Sequence, residues 1–196
     1  IVFGAPFSRC TPWKSIRLGM GYLSEDRQGE GLAMGLSIAE NISLSDYSPY
    51  LSRGMLNLKK RKQTTLNHME SMNVKARGPS QKVRDLSGGN QQKVALARLV
   101  HQKAQIYLLD EPTRGIDVVS KSQIYEWMGK KAAEGKAVVF VSSYLPELLG
   151  ISDRIAVFHR GRLVENRPVG EWSQESILAA ATVGSVEAED EGVALR

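Results

Sequence analysis

The spacing of apolar residues changes character along the chain. Met20-Gly21-Tyr22-Leu23 is a short apolar run that predicts a strand. The polar cluster Ser24-Glu25-Asp26-Arg27-Gln28 ends it, and glycines at 29, 31 and 35 then mark a loop. Ser37-Ile38-Ala39-Glu40 has the capping-box pattern, in which a hydroxyl and a carboxylate satisfy free N–H groups where a helix starts. From about residue 58 to 72 the pattern is helical, with Leu66, Met69 and Met72 expected on one inward face. Signals between roughly 31 and 100 are mostly helical, which predicts a helical subdomain.

Strand and helix signals alternate from there. Ile106-Tyr107-Leu108-Leu109 is a continuous apolar run, as expected for a strand buried on both faces of a parallel sheet. Residues 120–131 predict a helix with Ile124, Trp127 and Met128 inward, stopped at Gly135. Residues 137–141 predict a second buried strand, and Pro146 suits the first turn of the next helix. Residues 154–158 and 162–165 flank Arg160-Gly161, a hairpin turn. Strand, helix, strand in this order predicts an α/β fold with a right-handed crossover, a parallel core sheet and a ligand at the carboxyl ends of the strands. One domain over 1–182 is expected. The tail over 183–196, with Glu187, Glu189, Asp190 and Glu191, has little to bury and is expected to be mobile.

Composition narrows the choice. With 196 residues, 42% hydrophobic and 24% charged, the chain has the make-up of a globular domain with its own core. Its apolar runs are too short to cross a bilayer, so membrane association is expected only through a partner. Cys10 is the single cysteine, which excludes an internal disulfide and a thiolate zinc cluster. The net charge is +5, and the run Lys59-Lys60-Arg61-Lys62 raises nucleic acid as a partner. A solvated helix face is the plainer reading, and no nucleic acid is expected. The chain opens at Ile1 without a starting Met or leader and reads as a fragment.

Two segments carry chemistry. In Leu86-Ser87-Gly88-Gly89-Asn90-Gln91-Gln92-Lys93, Ser87 is a good helix cap and the glycines let the backbone approach a ligand. The free N–H groups and positive dipole end of the helix that follows make an anion site, suited to the γ-phosphate of ATP. An ordinary capped helix explains the same residues equally well. The second segment is Asp110-Glu111 at the end of the strand that starts at Ile106. An isolated acidic pair is commonly a solvated turn, but here the strand holds both acids at the sheet edge where nucleotides bind. Phosphoryl transfer needs a carboxylate to help hold Mg²⁺, a role Asp110 fits, and another group to orient the attacking water, a role Glu111 fits.

In this order, the segments resemble the ATP-binding-cassette (ABC) ATPases, with a partial P-loop NTPase fold. Residues 86–93 look like the signature motif, and residues 108–113 like Walker B with its catalytic glutamate. Gly115-Ile116-Asp117 is similar to the D-loop, residues 21–27 to the Q-loop, and Ser143 stands at the switch position. Asn90-Gln91-Gln92-Lys93, Ser24-Glu25-Asp26-Arg27 and Thr113-Arg114-Gly115-Ile116-Asp117 resemble the second cassette of tandem-cassette monosaccharide importers of the ribose, galactose and xylose type.

The resemblance implies an ATPase component that couples ATP hydrolysis to sugar uptake from the cytoplasmic face of the bacterial inner membrane. Its cofactors would be ATP and Mg²⁺. Its partners would be a second ABC cassette facing it head to tail, transmembrane permease subunits and, indirectly, a periplasmic sugar-binding protein. It further implies that Ser87, Gly88, Gly89 and Gln91 face nucleotide held by the partner cassette. Asp110 and Glu111 would serve the chain's own nucleotide, and Glu25 would contact the metal. The segment from Glu25 to Ser43 would meet the membrane domain.

Three departures qualify this picture. No Gly-x-x-x-x-Gly-Lys-Ser/Thr loop is present, so the isolated chain is expected neither to bind ATP tightly nor to hydrolyse it. Ser143 replaces a histidine and Glu25 a glutamine, which leaves open a non-catalytic half that supplies only its signature helix. A soluble ABC ATPase acting on nucleic acid is the third reading. His68, His101 and His159 have no ligand-like spacing and are expected in surface or loop packing.

Overall fold

The helix starts follow from local side-chain chemistry. In the computed structural model, which describes residues 11–183, Thr11 caps α1 (Pro12–Arg17) by accepting from the Lys14 N–H at 3.3 Å. The chain forms two compact units, Ile1–Val141 and Ser142–Arg196, and each is taken by itself. After β1 (Met20–Leu23), Asp26 caps a wide turn over Arg27–Gly31, accepting from the Gly29 N–H at 2.8 Å. The capping box of α2 (Ile38–Ser43) is complete: the Glu40 N–H donates to Ser37 Oγ at 3.2 Å, and the Ser37 N–H to Glu40 Oε2 at 2.8 Å. A small hairpin of β2 (Leu51–Ser52) and β3 (Met55–Leu56) turns through Arg53 and Gly54, both at positive φ.

Next comes α3 (Leu58–Ser71). Its inward stripe is Thr65, Met69 and the following Met72, four and then three residues apart. Leu66, expected inward, is exposed, because one residue past Thr65 is a rotation of about 100° around the helix. Thr65 is tolerated inside because its hydroxyl donates to the Arg61 carbonyl at 2.8 Å. The chain continues through α4 (Gly88–His101), β4 (Ile106–Asp110), α5 (Val118–Ala133) and β5 (Ala137–Val141).

The strands form one parallel sheet in the order β1–β4–β5, with Leu23 opposite Leu109 and Asp110 opposite Val141. Leu23, Tyr107 and Leu109 share a core with Leu96 of α4 and with Ile124, Trp127 and Met128 of α5. Tyr107 and Trp127 meet edge to face at 5.2 Å. Burial on both faces, expected for β4 and β5, is not found. β4 alternates between buried and half-buried residues, and Val139 and Val141 of β5 are exposed. On that second face an apolar cavity of about 490 Å³ lies among Ile16, Met20, Tyr22, Leu44, Leu99 and Leu108.

The second unit holds α6 (Leu145–Ile151), the antiparallel pair β6 (Arg154–His159) and β7 (Arg162–Pro168), and α7 (Gln174–Val183). Arg160 and Gly161, both left-handed, make the hairpin turn, as its two-residue length requires. Ile155, Val157, Trp172, Ile177 and Ala180 form its core. The acidic stretch from residue 184 onward lies outside the described residues.

Candidate functional site

The strand β4 delivers two acids to its carboxyl end, and the chain turns away at the second of them. Asp110 is the last residue in register with β5, and its Oδ2 is 3.4 Å from the Tyr22 hydroxyl, which donates to it. The Glu111 N–H still donates to the Val141 carbonyl at 3.0 Å, but Glu111 itself has φ +45°. A left-handed glutamate is uncommon and persists only where its surroundings impose it. Here it is bracketed by the ladder bond on one side and the buried Pro112 on the other. The Arg114 N–H then donates to the Glu111 carbonyl at 3.1 Å, closing the turn.

An open cavity of about 690 Å³ lies at this edge, lined by Tyr22, Glu25, Asp26, Arg27, Asp110 and Arg114. The Glu25 carboxylate is ion-paired with the Arg114 guanidinium. Both side chains are largely exposed at the cavity rim, so Glu25 has a cation of the chain itself as a neighbour. Among the described residues no group of three or more His, Cys, Asp or Glu side chains could hold a metal by itself. The donor set suits Mg²⁺ carried mainly by phosphate oxygens, with Asp110 as the carboxylate beside it.

The signature helix α4 presents a different arrangement from the one expected. Ser87 is exposed and extended ahead of the helix, in cap position, yet its Oγ accepts from the Asn90 side-chain amide at 2.9 Å instead of from backbone. Asn90 is itself fixed by the Lys75 N–H, which donates to its Oδ1 at 2.8 Å. The first N–H groups of α4 thus keep their capacity to meet an anion.

Gly89 is required by the chain's own packing, whereas Gly88 is only closely bordered. A Cβ on Gly89 would overlap Ser120 Oγ and sit 2.7 Å from Ser120 Cβ; one on Gly88 would lie 3.2 Å from Arg27 Nη2 and 3.3 Å from the Gly115 carbonyl. Gly88 is half-buried and Gly89 buried, so Gly89 admits the start of α5 where the sequence led us to expect a ligand.

Gln91, expected to face nucleotide, is 4% exposed and points inward. Its amide donates to the carbonyls of Val83 at 3.2 Å and Leu86 at 3.3 Å, tying the approach segment to the helix. Gln92 is also buried. Its amide N–H donates to the Pro112 carbonyl at 2.7 Å, and its oxygen accepts from Arg27 at 3.3 Å. One side chain therefore joins three segments: the turn after β1, the signature helix and the loop that carries Glu111. Burial holds the Arg27 guanidinium below its usual range. Lys93 is buried with its ammonium on the Asn73 carbonyl at 3.0 Å, in the left-handed turn that follows α3.

Asp117 caps α5, its carboxylate accepting from the Ser120 N–H at 2.9 Å and the Ser120 hydroxyl at 2.7 Å. These bonds hold it below the usual carboxylate range. Ser143 lies in the second unit, where it is exposed, and neighbouring Ser142 donates to the buried Glu147 at 3.0 Å. His101, expected in surface packing, is buried. Its ring stacks on Tyr50, and its Nε2 is 2.8 Å from the Asp46 carbonyl.

The structure thus brings Asp110 and Glu111 to one edge and Ser87 to an exposed helix start, and it turns Gln91 inward. Sequence reasoning quoted Arg27, Gln92 and Arg114 within its motifs but gave them no role of their own, and it missed Ser120. Only Ser120 carried a signal, since Asp117-x-x-Ser120 is a cap spacing.

Comparison with known proteins bears on this arrangement. A family model described as ABC transporter matches residues 1–114. The ribose import ATP-binding protein RbsA of Pseudomonas putida is 42% identical over 96% of this chain and 36% of its own length. The RbsA protein of Bacillus cereus is 44% identical over 89% of this chain and 35% of its own. The chain therefore spans little more than a third of these curated relatives. Among solved structures, the dimeric bacterial ABC transporter cassette MJ0796 superposes with a TM-score of 0.63 at 25% identity, over 76% of this chain and 62% of that one. The parallel sheet, the acidic strand end and the matched family model agree, and the chain belongs to the ABC transporter family.

Proposed function

We propose that this chain is the ATP-binding and hydrolysing component of an ABC importer, and that it couples ATP hydrolysis to the uptake of a simple sugar across the bacterial inner membrane. The observation that carries the reading is the pair Asp110 and Glu111 at the carboxyl edge of a parallel sheet, with Glu111 itself the left-handed residue at which the chain turns away. The relatives named as ribose import proteins support the sugar class.

Asp110 helps hold the metal, and Glu111 orients the attacking water. When bound, Mg²⁺-ATP would supply the phosphoryl group, with the metal ion offsetting the charge that develops on it. Ser87, Gly88 and the N-terminus of α4 meet the nucleotide of a second cassette. The working assembly comprises that cassette and transmembrane permease subunits on the cytoplasmic face, with a periplasmic sugar-binding protein acting indirectly. No helix among the described residues is long and apolar enough to cross a membrane.

The test is Glu111→Gln in the assembled transporter. Turnover is expected to fall by about 100-fold or more, the usual scale for loss of a group that handles the reacting proton, with nucleotide retained. One observation favours a second reading, a regulatory half that supplies only its signature helix. Glu25, at the position of a glutamine in the family pattern, is paired with Arg114. Under that reading Ser87→Arg abolishes turnover while Glu111→Gln leaves it unchanged.

A further inference from the structure

The hairpin of β2 and β3 covers no core. All four of its strand residues are exposed, with Leu51 at 57% and Met55 at 72%, and Leu58 at the start of α3 is 59% exposed. A two-stranded hairpin alone is marginal in water, so its stability comes from its root. That root is well fixed. Tyr50 is fully buried and stacks on His101 at 5.4 Å, with its hydroxyl 3.3 Å from Nδ1. The Asn57 N–H donates to the Tyr50 carbonyl at 2.8 Å. The tip is therefore held out in solvent by buried contacts at its base, with Leu51 and Leu56 on one face of the ribbon, Met55 on the other, and all three exposed.

Along the hairpin and the first part of α3 the charged side chains have one sign. Residues 47–69 contain Arg53, Lys59, Lys60, Arg61 and Lys62 and no Asp or Glu. Arg61 lies close enough to Glu40 to act on its carboxyl. The other four are exposed, and none takes part in a salt bridge among the described residues. Apolar side chains flanked by unpaired cations match the boundary of an anionic bilayer, which takes the first into its headgroup layer and pairs the second with phosphates. Nucleic acid would pair with the cations but leave the apolar tip in water.

We propose that the hairpin, with Lys59, Lys60 and Lys62, docks on an anionic lipid surface. The inference goes beyond the nucleotide reading and is independent of it, because pure lipid contains neither permease nor nucleotide. The whole chain is tested by co-sedimentation with vesicles of phosphatidylcholine alone, or mixed with phosphatidylglycerol. Binding is expected only to the mixed vesicles, and it weakens as salt is raised. Lys59→Gln with Lys60→Gln lowers affinity about 30-fold, from roughly fivefold per cation near such a surface. Leu51→Ser with Met55→Ser lowers it about tenfold or more through lost apolar burial, leaving the salt dependence intact. Circular dichroism checks that each variant is folded, and Met55→Ser alone is the substitute if the pair is not.

Equal binding to neutral and mixed vesicles overturns the proposal, as does indifference to the Leu51 and Met55 changes. Salt-sensitive retention of duplex DNA that the lysine changes abolish and the apolar changes spare assigns the cations to nucleic acid instead.

Discussion

Gly89→Ala separates a glycine kept for a ligand from one kept for packing. The added carbon would overlap Ser120 Oγ, lie 2.7 Å from Ser120 Cβ and come 3.1 Å from Asp117 Oδ2. The Ser120 Cβ is attached directly to backbone and cannot swing aside, so α4 or α5 must shift. Overpacking of this kind costs about 1–3 kcal/mol. Alanine is the better helix former by up to about 1 kcal/mol, and less in the first turn, where several N–H groups have no helical partner in either case. The clash wins, and a net loss of about 1–2 kcal/mol is expected.

Urea unfolding measures this loss, followed by Trp127 fluorescence in a background where Trp13 and Trp172 are changed to Phe. Trp127 packs against Tyr107 in the first unit and reports on its core. Ser120→Gly removes both clashing atoms, so in a double-mutant cycle the two changes should couple by about 1–2 kcal/mol. Gly88→Ala is a control, since its contacts at 3.2 Å and 3.3 Å need only small adjustments, and it should cost less than about 1 kcal/mol. A Gly89→Ala protein as stable as the parent, or a strictly additive cycle, would refute the reasoning and return the glycine to a ligand outside the chain.

Two further outcomes are expected. Gln92→Leu should destabilise the first unit by about 1–3 kcal/mol, because it strips a buried carbonyl at Pro112 and half-buried Arg27 of their shared partner. The same urea measurement checks this, and Gln92→Glu should not restore the bond to Pro112, since an ionised carboxylate has no N–H to donate. His68 should titrate below the usual histidine range, held down by burial and by neighbouring His101 at 5.5 Å between ring centroids. Its folded value being depressed, the unfolded chain takes up the proton first as pH falls from about 6.5. This contribution to stability is thus intact above that pH and lost as pH falls toward the folded value. Proton NMR of the His68 ring reads the shift directly, and His68→Gln should flatten that part of the pH profile.

Much of this protein was decided by its sequence. The capping box at Ser37, the strands ending at Leu23 and Asp110, the inward face of α5 and the turn at Arg160-Gly161 all depend on neighbours within a few residues. Such short-range hydrogen bonding and periodicity are legible without coordinates. The pairing of an acidic strand end with a glycine-fronted helix was legible for the same reason.

Tertiary structure alone decided how the site residues are employed. Gln91 turned inward because the carbonyls of Val83 and Leu86 came within reach, and Glu25 was taken by Arg114. The room left by Gly89 was filled by Ser120, 31 residues further on. Gln92 joined three segments that meet only once the sheet has formed between β1 and β4. Whether a strand is covered on one face or two likewise depends on which elements stack against it, and an apolar run such as Ile106 to Leu109 reads the same in both cases. Local interactions fix which elements form. The partners of a polar side chain depend on distances that chain order does not encode, and those distances exist only in the folded protein.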